Sequence, residues 1–386
     1  MPENEGEPVE ARAIEDGIAL CLSGGGYRAM VFHVGVLWRL NEAKLLKKLN
    51  RISSVSGGSI TSATLALHWG HLDFDDDGFA RGFGRVVDRI RGMAGVTIDR
   101  PSILKGLLLP GRISDRIGEA YDKHLFAGAS LQDIPHEVPG KSPRFVINAT
   151  NVQSGALWRF SRKYMADYRV GRIDLPDVSL AEAVTASSAF PPFLSPVKLD
   201  IRQPVVEHGG ADLHREPYIS KAVLSDGGVY DNLGLETALG RYRTILASNG
   251  GKKLAPEERP AGDWARHILR ILFVIDNQVG SQRRRHLIEK FVRRDEHDGV
   301  FWGIGTDFGD YKLAEDPLGC GSRDPGPLAG MSTRLKAMDD VLQEKLINWG
   351  YAITDAGLRA FFDEDMQRRY DVSIDLPKGF PYARGY

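Results

Sequence analysis

Three short stretches surround a chemically useful side chain with glycine. "ISSVSGGSI" (52–60) sets Ser56 after an apolar run and before a helical pattern, with Gly57 and Gly58 behind it. "CLSGGGYRAM" (21–30) breaks an apolar run with Gly24, Gly25 and Gly26, and "LSDGGVYDNLG" (224–234) puts Asp226 before Gly227 and Gly228. A sharp strand-to-helix turn projects a serine hydroxyl away from a sheet, and small neighbours let the turn close and a substrate approach. The pattern G-x-S-x-G is met with one departure, Ser54 in place of the first glycine. A helix starting near Gly57 turns its positive end toward the serine oxygen. Acyl transfer also needs backbone N–H donors aimed where an oxyanion develops, and glycines at a helix start offer amides with no Cβ in the way. Asp226 would supply a base, weak at its reference pKa of about 3.9 unless the site raises it.

Each motif also has a plainer reading. Serine is a preferred helix N-cap, and Asp-Gly is a common tight turn. "GGGYRA" (24–29) satisfies the dinucleotide pattern G-x-G-x-x-[GA], but that fingerprint wants an acid at the end of the second strand to hold a ribose. Ser56 stands there instead. "DFDDDG" (73–78) opens like a calcium loop, yet its twelfth position is Gly84 where a bidentate Glu is needed, so a solvated acidic turn is expected. Single motifs do not decide between these readings. Three glycine-flanked turns at strand ends together favour the acyl-transfer one.

These turns need a sheet to position them. Short apolar runs without clean alternation occur at 17–23, 51–55, 144–150, 221–226, 243–249 and 270–276, as expected for strands covered on both faces. Helical patterns at 27–46 and 58–70 alternate with the first of them. The order predicts an α/β fold with a mostly parallel central sheet flanked by helices. Residues 1–16 read as a disordered lead-in, 71–140 as a helical insertion and 202–219 as a loop. Residues 277–330 are charged, then Gly- and Pro-rich, and 331–362 read as two helices divided by Gly350.

Composition narrows the class. The chain has 386 residues, 42% apolar and 26% charged, with a formal net charge of −1, so no global field steers it to nucleic acid and no nucleic-acid partner is expected. Two cysteines, Cys21 and Cys320, make no disulfide framework and read as reduced thiols. The acidic, polar N-terminus lacks a secretory pattern, and no uncharged apolar run reaches roughly 18 residues. A cytoplasmic protein is expected, and any peripheral membrane contact would have to come from a local patch.

The ordered set of motifs resembles the patatin-like phospholipase family, related in catalytic domain to cytosolic phospholipase A2. That family joins a D-G-G-G-x-[RK]-G loop, a G-x-S-x-G serine and a D-G-[GA] aspartate. The resemblance implies Ser56 as nucleophile and Asp226 as base of a Ser–Asp dyad, and Gly24, Gly25 and Gly26 as the oxyanion hole. Arg28 lies beside that loop, and Gly58, Gly227 and Gly228 support the turns. Ser23 stands where the loop usually begins with Asp, and Ala29 where it ends with Gly; neither change removes a donor. "TASSAFPPFLSPV" (185–197) is similar to a family segment that forms a wall beside the site.

The resemblance implies a patatin-like three-layer catalytic domain over 17–250, with 251–386 as a C-terminal extension packed on it. It implies hydrolysis of a lipid or phospholipid acyl ester through an acyl-enzyme, with no cofactor and no metal. Alternatives on the same fold are an acyltransferase, an esterase on another substrate, or a lipase effector gated by a nucleotide or protein partner; an activator is not specified. "SILKGLLLPG" (102–111) could be a lid segment or an ordinary core helix, and the basic stretch 282–294 an anionic-headgroup contact or a solvated face. No histidine is expected in the mechanism: His267 precedes the strand expected at 270–276 and so falls at the opposite sheet edge, and His286 and His297 lie in a charged stretch with no strand-end glycine turn to position them.

Overall fold

The run Ile18–Leu22, the C-terminal part of the first strand, is wholly buried, as its unbroken apolar character requires. The computed structural model describes residues 13–98, 112–192, 194–251, 254–294, 296–332 and 334–384. Within them the strands are β1 (Glu15–Leu22), β2 (Leu49–Val55), β3 (Arg144–Asn151), β4 (Ala156–Phe160), β5 (Tyr164–Asp167), β6 (Gly171–Asp174), β7 (Val197–Asp200), β8 (Lys221–Asp226), β9 (Tyr242–Asn249) and β10 (Asp298–Gly303). The helices are α1 (Gly26–Glu42), α2 (Gly57–His68), α3 (Gly84–Ala94), α4 (Arg112–Tyr121), α5 (Leu180–Ser187), the single turn α6 (Gly228–Asp231), α7 (Trp264–Arg293), the single turn α8 (Gly326–Ala329), α9 (Asp340–Phe361) and α10 (Glu364–Tyr370).

All ten strands join one sheet, with the path β10-β9-β1-β2-β3-β4-β5-β6. The five from β10 to β3 run parallel. An antiparallel meander β4–β6 extends that core, and β8 pairs antiparallel with β3 and with β7. Ile18, Leu20 and Leu22 face the layer containing α1, α2 and α9, whereas Ala19 and Cys21 face Leu233, Leu235, Ala238 and Leu287 of α7. The result is a helix–sheet–helix sandwich. Both cysteines are buried and free.

Residues beyond 250 join this same core. β10 continues the parallel sheet beside β9. Helix α9 crosses α1 so closely that a Cβ on Gly35 would lie 1.9 Å from the Ile347 carbonyl oxygen, and one on Gly350 2.1 Å from that of Phe32. Gly350 therefore serves close packing and does not divide two helices; α9 is continuous through it, and starts only at Asp340, where Asp339 caps Leu342 N. The contact also buries Arg39 against Asp355 at 2.9 Å, with Arg359 on the other carboxylate oxygen. Removing one member of such a buried set costs about 3–5 kcal/mol.

Three sequence expectations change. Residues 270–276 are not a strand but part of α7, and β10 occupies the sheet edge that strand would have taken. The apolar positions recur from Trp264 at helical spacing, and the seven-residue run was read at the wrong period. The meander β4–β6 was not anticipated, because its short strands alternate with charged residues. Of the expected lead-in, residues 1–12 lie outside the described residues, while Glu15 and Asp16 already belong to β1. The segment 102–111 also lies outside them. Among the described residues no helix is long and apolar enough to cross a membrane.

Candidate active site

Register on β3 brings two of the predicted residues together. The last pair of β2 is Val55 with Asn148, and the last pair of β8 is Asp226 with Ala149, the next position along β3. The two strands run head-on along the same edge of β3. Ser56 and Asp226 therefore meet from opposite directions, whereas the sequence placed both at the ends of parallel strands. Ser56 adopts φ 50° and ψ −119°, a left-handed region that a non-glycine residue occupies only under strain. That turn is held by Ser56 N donating to Ser187 Oγ at 3.0 Å, and by Ser59 N and Ile60 N donating to Ser56 O.

The Ser56 hydroxyl lies beside the Asp226 carboxyl and favours its charged form. Gly228 N donates to Asp226 Oδ1 at 2.7 Å. The aspartate backbone is fixed from both sides, by Asp226 N donating to Ala189 O at 2.9 Å and by Thr150 Oγ1 donating to Asp226 O at 2.8 Å. Segment 185–197, expected as a wall beside the site, thus touches both residues through Ser187 and Ala189. Asp226 is 2% exposed. Burial pushes its carboxyl up to about 7, against the opposing pull of Gly228 N–H and the Ser56 hydroxyl. The like charge of Asp276 on α7 pushes it further in the same direction. Asp276 itself is pushed up to about 6 by burial.

The glycines are required by contact. A Cβ on Gly57 would lie 2.1 Å from the Gly26 carbonyl oxygen, and one on Gly58 2.4 Å from that of Leu22. One on Gly24 would lie 2.3 Å from Asn232 Oδ1 and 3.1 Å from Ser56 Cβ, and one on Gly227 2.3 Å from the Asn148 carbonyl oxygen. The two turns at 24–26 and 56–58 are packed backbone to backbone. Gly25 takes φ 141° and Gly26 φ 59°, which turns the loop out of β1 and into α1. Gly24 N already donates to Asn232 O at 3.1 Å, and Gly58 N to Ser23 O at 3.2 Å. Among the described residues, no acceptor takes the N–H of Gly25, Gly26 or Gly57, and Gly25 is the least buried of the three.

Arg28 lies behind the loop. Its buried guanidinium donates to Gly250 O through Nε and Nη2 at 3.1 and 3.0 Å, and through Nη1 to Ala329 O and Met331 O. Burial lowers its pKa to about 10. It clamps the loop to the following chain, with four of its five N–H groups spent on these carbonyls. His33, unremarked in the sequence, does similar work: Nε2 meets Ser23 O at 3.1 Å and Nδ1 meets Ser248 Oγ at 3.0 Å. Burial pushes its pKa down to about 4, so the ring is neutral at ordinary pH. A histidine seven residues past the glycine triplet, on the buried side of a helix, was the available signal.

Asp276 was missed because it was placed at a strand end. Helix α7 brings it to the site instead, where Phe273 stacks on Phe190 with ring centroids 6.0 Å apart. Among the described residues no histidine hydrogen-bonds Ser56 or Asp226; His267 and His286 are exposed on α7, and buried His297 meets Tyr242 O at 3.2 Å. The acidic turn 73–78 engages its charges locally: Asp75 accepts from Phe79 N and pairs with Arg81, and Asp77 pairs with Lys44. Among the described residues no cluster of His, Cys, Asp and Glu could hold a metal ion.

The overall fold is similar to that of human GIVD cytosolic phospholipase A2, with a TM-score of 0.52 and 13% identity over 92% of this chain and 60% of that one. VipD from Legionella pneumophila aligns over 92% of this chain and 70% of its own at a TM-score of 0.38 and 14% identity. This chain thus spans about 60% of the length of the human phospholipase. No curated protein sequence matches it. Residues 20–239 match the profile of the patatin-like phospholipases, and the chain belongs to that family.

Proposed function

We propose that this protein is a lipid acyl hydrolase that cleaves carboxylic esters of phospholipids or lysophospholipids through Ser56 and Asp226. The observation that carries this reading is the strained Ser56 turn set beside the buried Asp226 carboxyl, which burial pushes up to about 7. A base poised near the operating pH combines a useful ionised fraction with enough basicity to take a proton. In the ionised form Asp226 accepts the Ser56 proton as Oγ attacks the ester carbonyl carbon. Negative charge moves to the carbonyl oxygen, where the N–H groups of Gly25 and Gly26 receive it. Collapse of the tetrahedral intermediate expels the alcohol, which leaves with the proton held by Asp226. Water then attacks the acyl-Ser56 ester, Asp226 again taking the proton, and the fatty acid departs with Ser56 restored.

Gly24 has a different part in this reading: its N–H holds Asn232, and its missing Cβ leaves room for Ser56. The test is a panel of phospholipids and lysophospholipids, with products identified by mass spectrometry. The wild type releases fatty acid from at least one class and Ser56→Ala from none. An inactive wild type across the panel, or an active Ser56→Ala, would overturn the proposal.

A further inference from the structure

We propose that the outward face of the first half of α7 docks on an anionic lipid bilayer. Trp264, Ile268, Ile271, Leu272 and Ile275 recur at i, i+4, i+7, i+8 and i+11, which puts them on one stripe of the helix. All five are exposed, Trp264 by 78% and Ile275 by 54%. At 1.5 Å rise per residue the stripe is about 16 Å long. Single exposed apolar side chains are ordinary on soluble proteins, but a continuous row with an exposed tryptophan marks a contact surface. Among the described residues no other element exposes as many large apolar side chains.

The opposite side of the same half-helix faces the site, through Phe273 on Phe190 and Asp276 near Asp226. A bilayer meeting the stripe would therefore lie one helix away from Ser56. The second half is fastened down: Arg283 pairs with Glu236 at 2.8 Å and Asp231 at 3.7 Å, and Leu287 is fully buried. There the stripe continues with Gln278, Gln282, Arg285 and His286, and the exposed apolar residues Ile288 and Val292 lie off it.

Charge selects the occupant. Helix α7 carries seven Lys and Arg against two acids. Arg284, Arg285, Lys290 and Arg293 make no ion pair with a described residue. Two copies joined through this face would bring two such cationic helices together, whereas anionic headgroups neutralise them. The proposal rests on the lipid reading of the Ser56 site for its purpose, but the docking can be measured without it.

Co-flotation with vesicles of phosphatidylcholine, with and without phosphatidylserine, tests the surface. The wild type binds the anionic vesicles more tightly, and salt weakens the binding. Ile271→Asp with Ile275→Asp lowers the partition coefficient about a hundredfold or more, since two apolar anchors become charges. Hydrolysis of a water-soluble short-chain ester is kept in that variant. Trp264 emission shifts blue on vesicle addition, and Trp264→Phe loses the shift. Vesicle binding that is absent in the wild type, or unchanged in the double variant, overturns the proposal. So does a wild-type dimer that the double variant splits, which would assign the stripe to self-association. Vesicle binding lost in the variant, from a wild type inactive on every ester, upholds the docking surface and removes the hydrolase reading instead.

Discussion

Consider Asp226→Asn near pH 8. Folding moves this carboxyl from 3.8 to about 7, roughly three pH units, and burial is the main cause. At 1.36 kcal/mol per unit, ionising it inside the folded protein withholds about 4 kcal/mol of stability. The sign follows from a raised folded-state pKa on an acid. Below the unfolded value the group is protonated in both states and no penalty exists. The penalty grows as pH rises toward the folded value and is complete above it. Asparagine has nearly the same shape and cannot ionise. Its Oδ1 can still accept the Gly228 N–H that Asp226 accepts at 2.7 Å, and its amide N–H can donate to Ser56 Oγ. Allowing for imperfect replacement of these bonds, the variant gains about 2–4 kcal/mol near pH 8 and close to nothing near pH 4. Turnover falls by about 10³ because an amide cannot take the serine proton. Urea unfolding of both proteins at the two pH values, beside an ester assay, measures both halves. No gain near pH 8, or an equal gain near pH 4, would refute the reasoning.

Gly57→Ala puts a Cβ 2.1 Å from the Gly26 carbonyl oxygen, so the two turns must separate and turnover should drop by about 10² or more. Gly84→Ala, which meets nothing within 4 Å, is the control that keeps activity. Asp276→Asn removes the like charge that raises Asp226, so the acidic limb of the pH–rate profile should move to lower pH; a move upward would count against the assigned neighbourhood. His33→Ala frees the Ser23 carbonyl behind the glycine loop and should lower kcat by about tenfold with little change in KM, because its contacts fix the loop and not the ligand. Alanine at His267, His286 or His297 should each cost less than about tenfold in kcat/KM, or under about 1.4 kcal/mol.

The site was more legible in the sequence than the sheet around it. Ser56, Asp226 and the glycines sit in local turns, and a turn's backbone demands are written in adjacent residues. How the turns meet is non-local. Nothing near Asp226 says that β8 runs antiparallel to β3, or that its end abuts that of β2. Gly57 gave its signal openly, but its reason, the Gly26 carbonyl oxygen, lies about thirty residues away in the chain. The error at 270–276 has a physical cause. A run such as "RILFVID" implies burial, and a buried strand is the usual way to satisfy it. Here the apolar residues lie on the outside of a helix, and the strand that joins β9 comes instead from the short "DGVFWG" run of β10. Gly350 misled in the opposite sense, since a glycine that ends many helices here lets two of them touch.

The central claim is that Ser56 is the one activated nucleophile. Treating the protein with a fluorophosphonate and mapping the adduct by peptide mass spectrometry tests it directly. One adduct, on Ser56, that forms more slowly in Asp226→Asn and is absent in Ser56→Ala is the predicted result. An adduct on another serine, or a Ser56→Ala protein that still hydrolyses ester at the wild-type rate, would contradict the account.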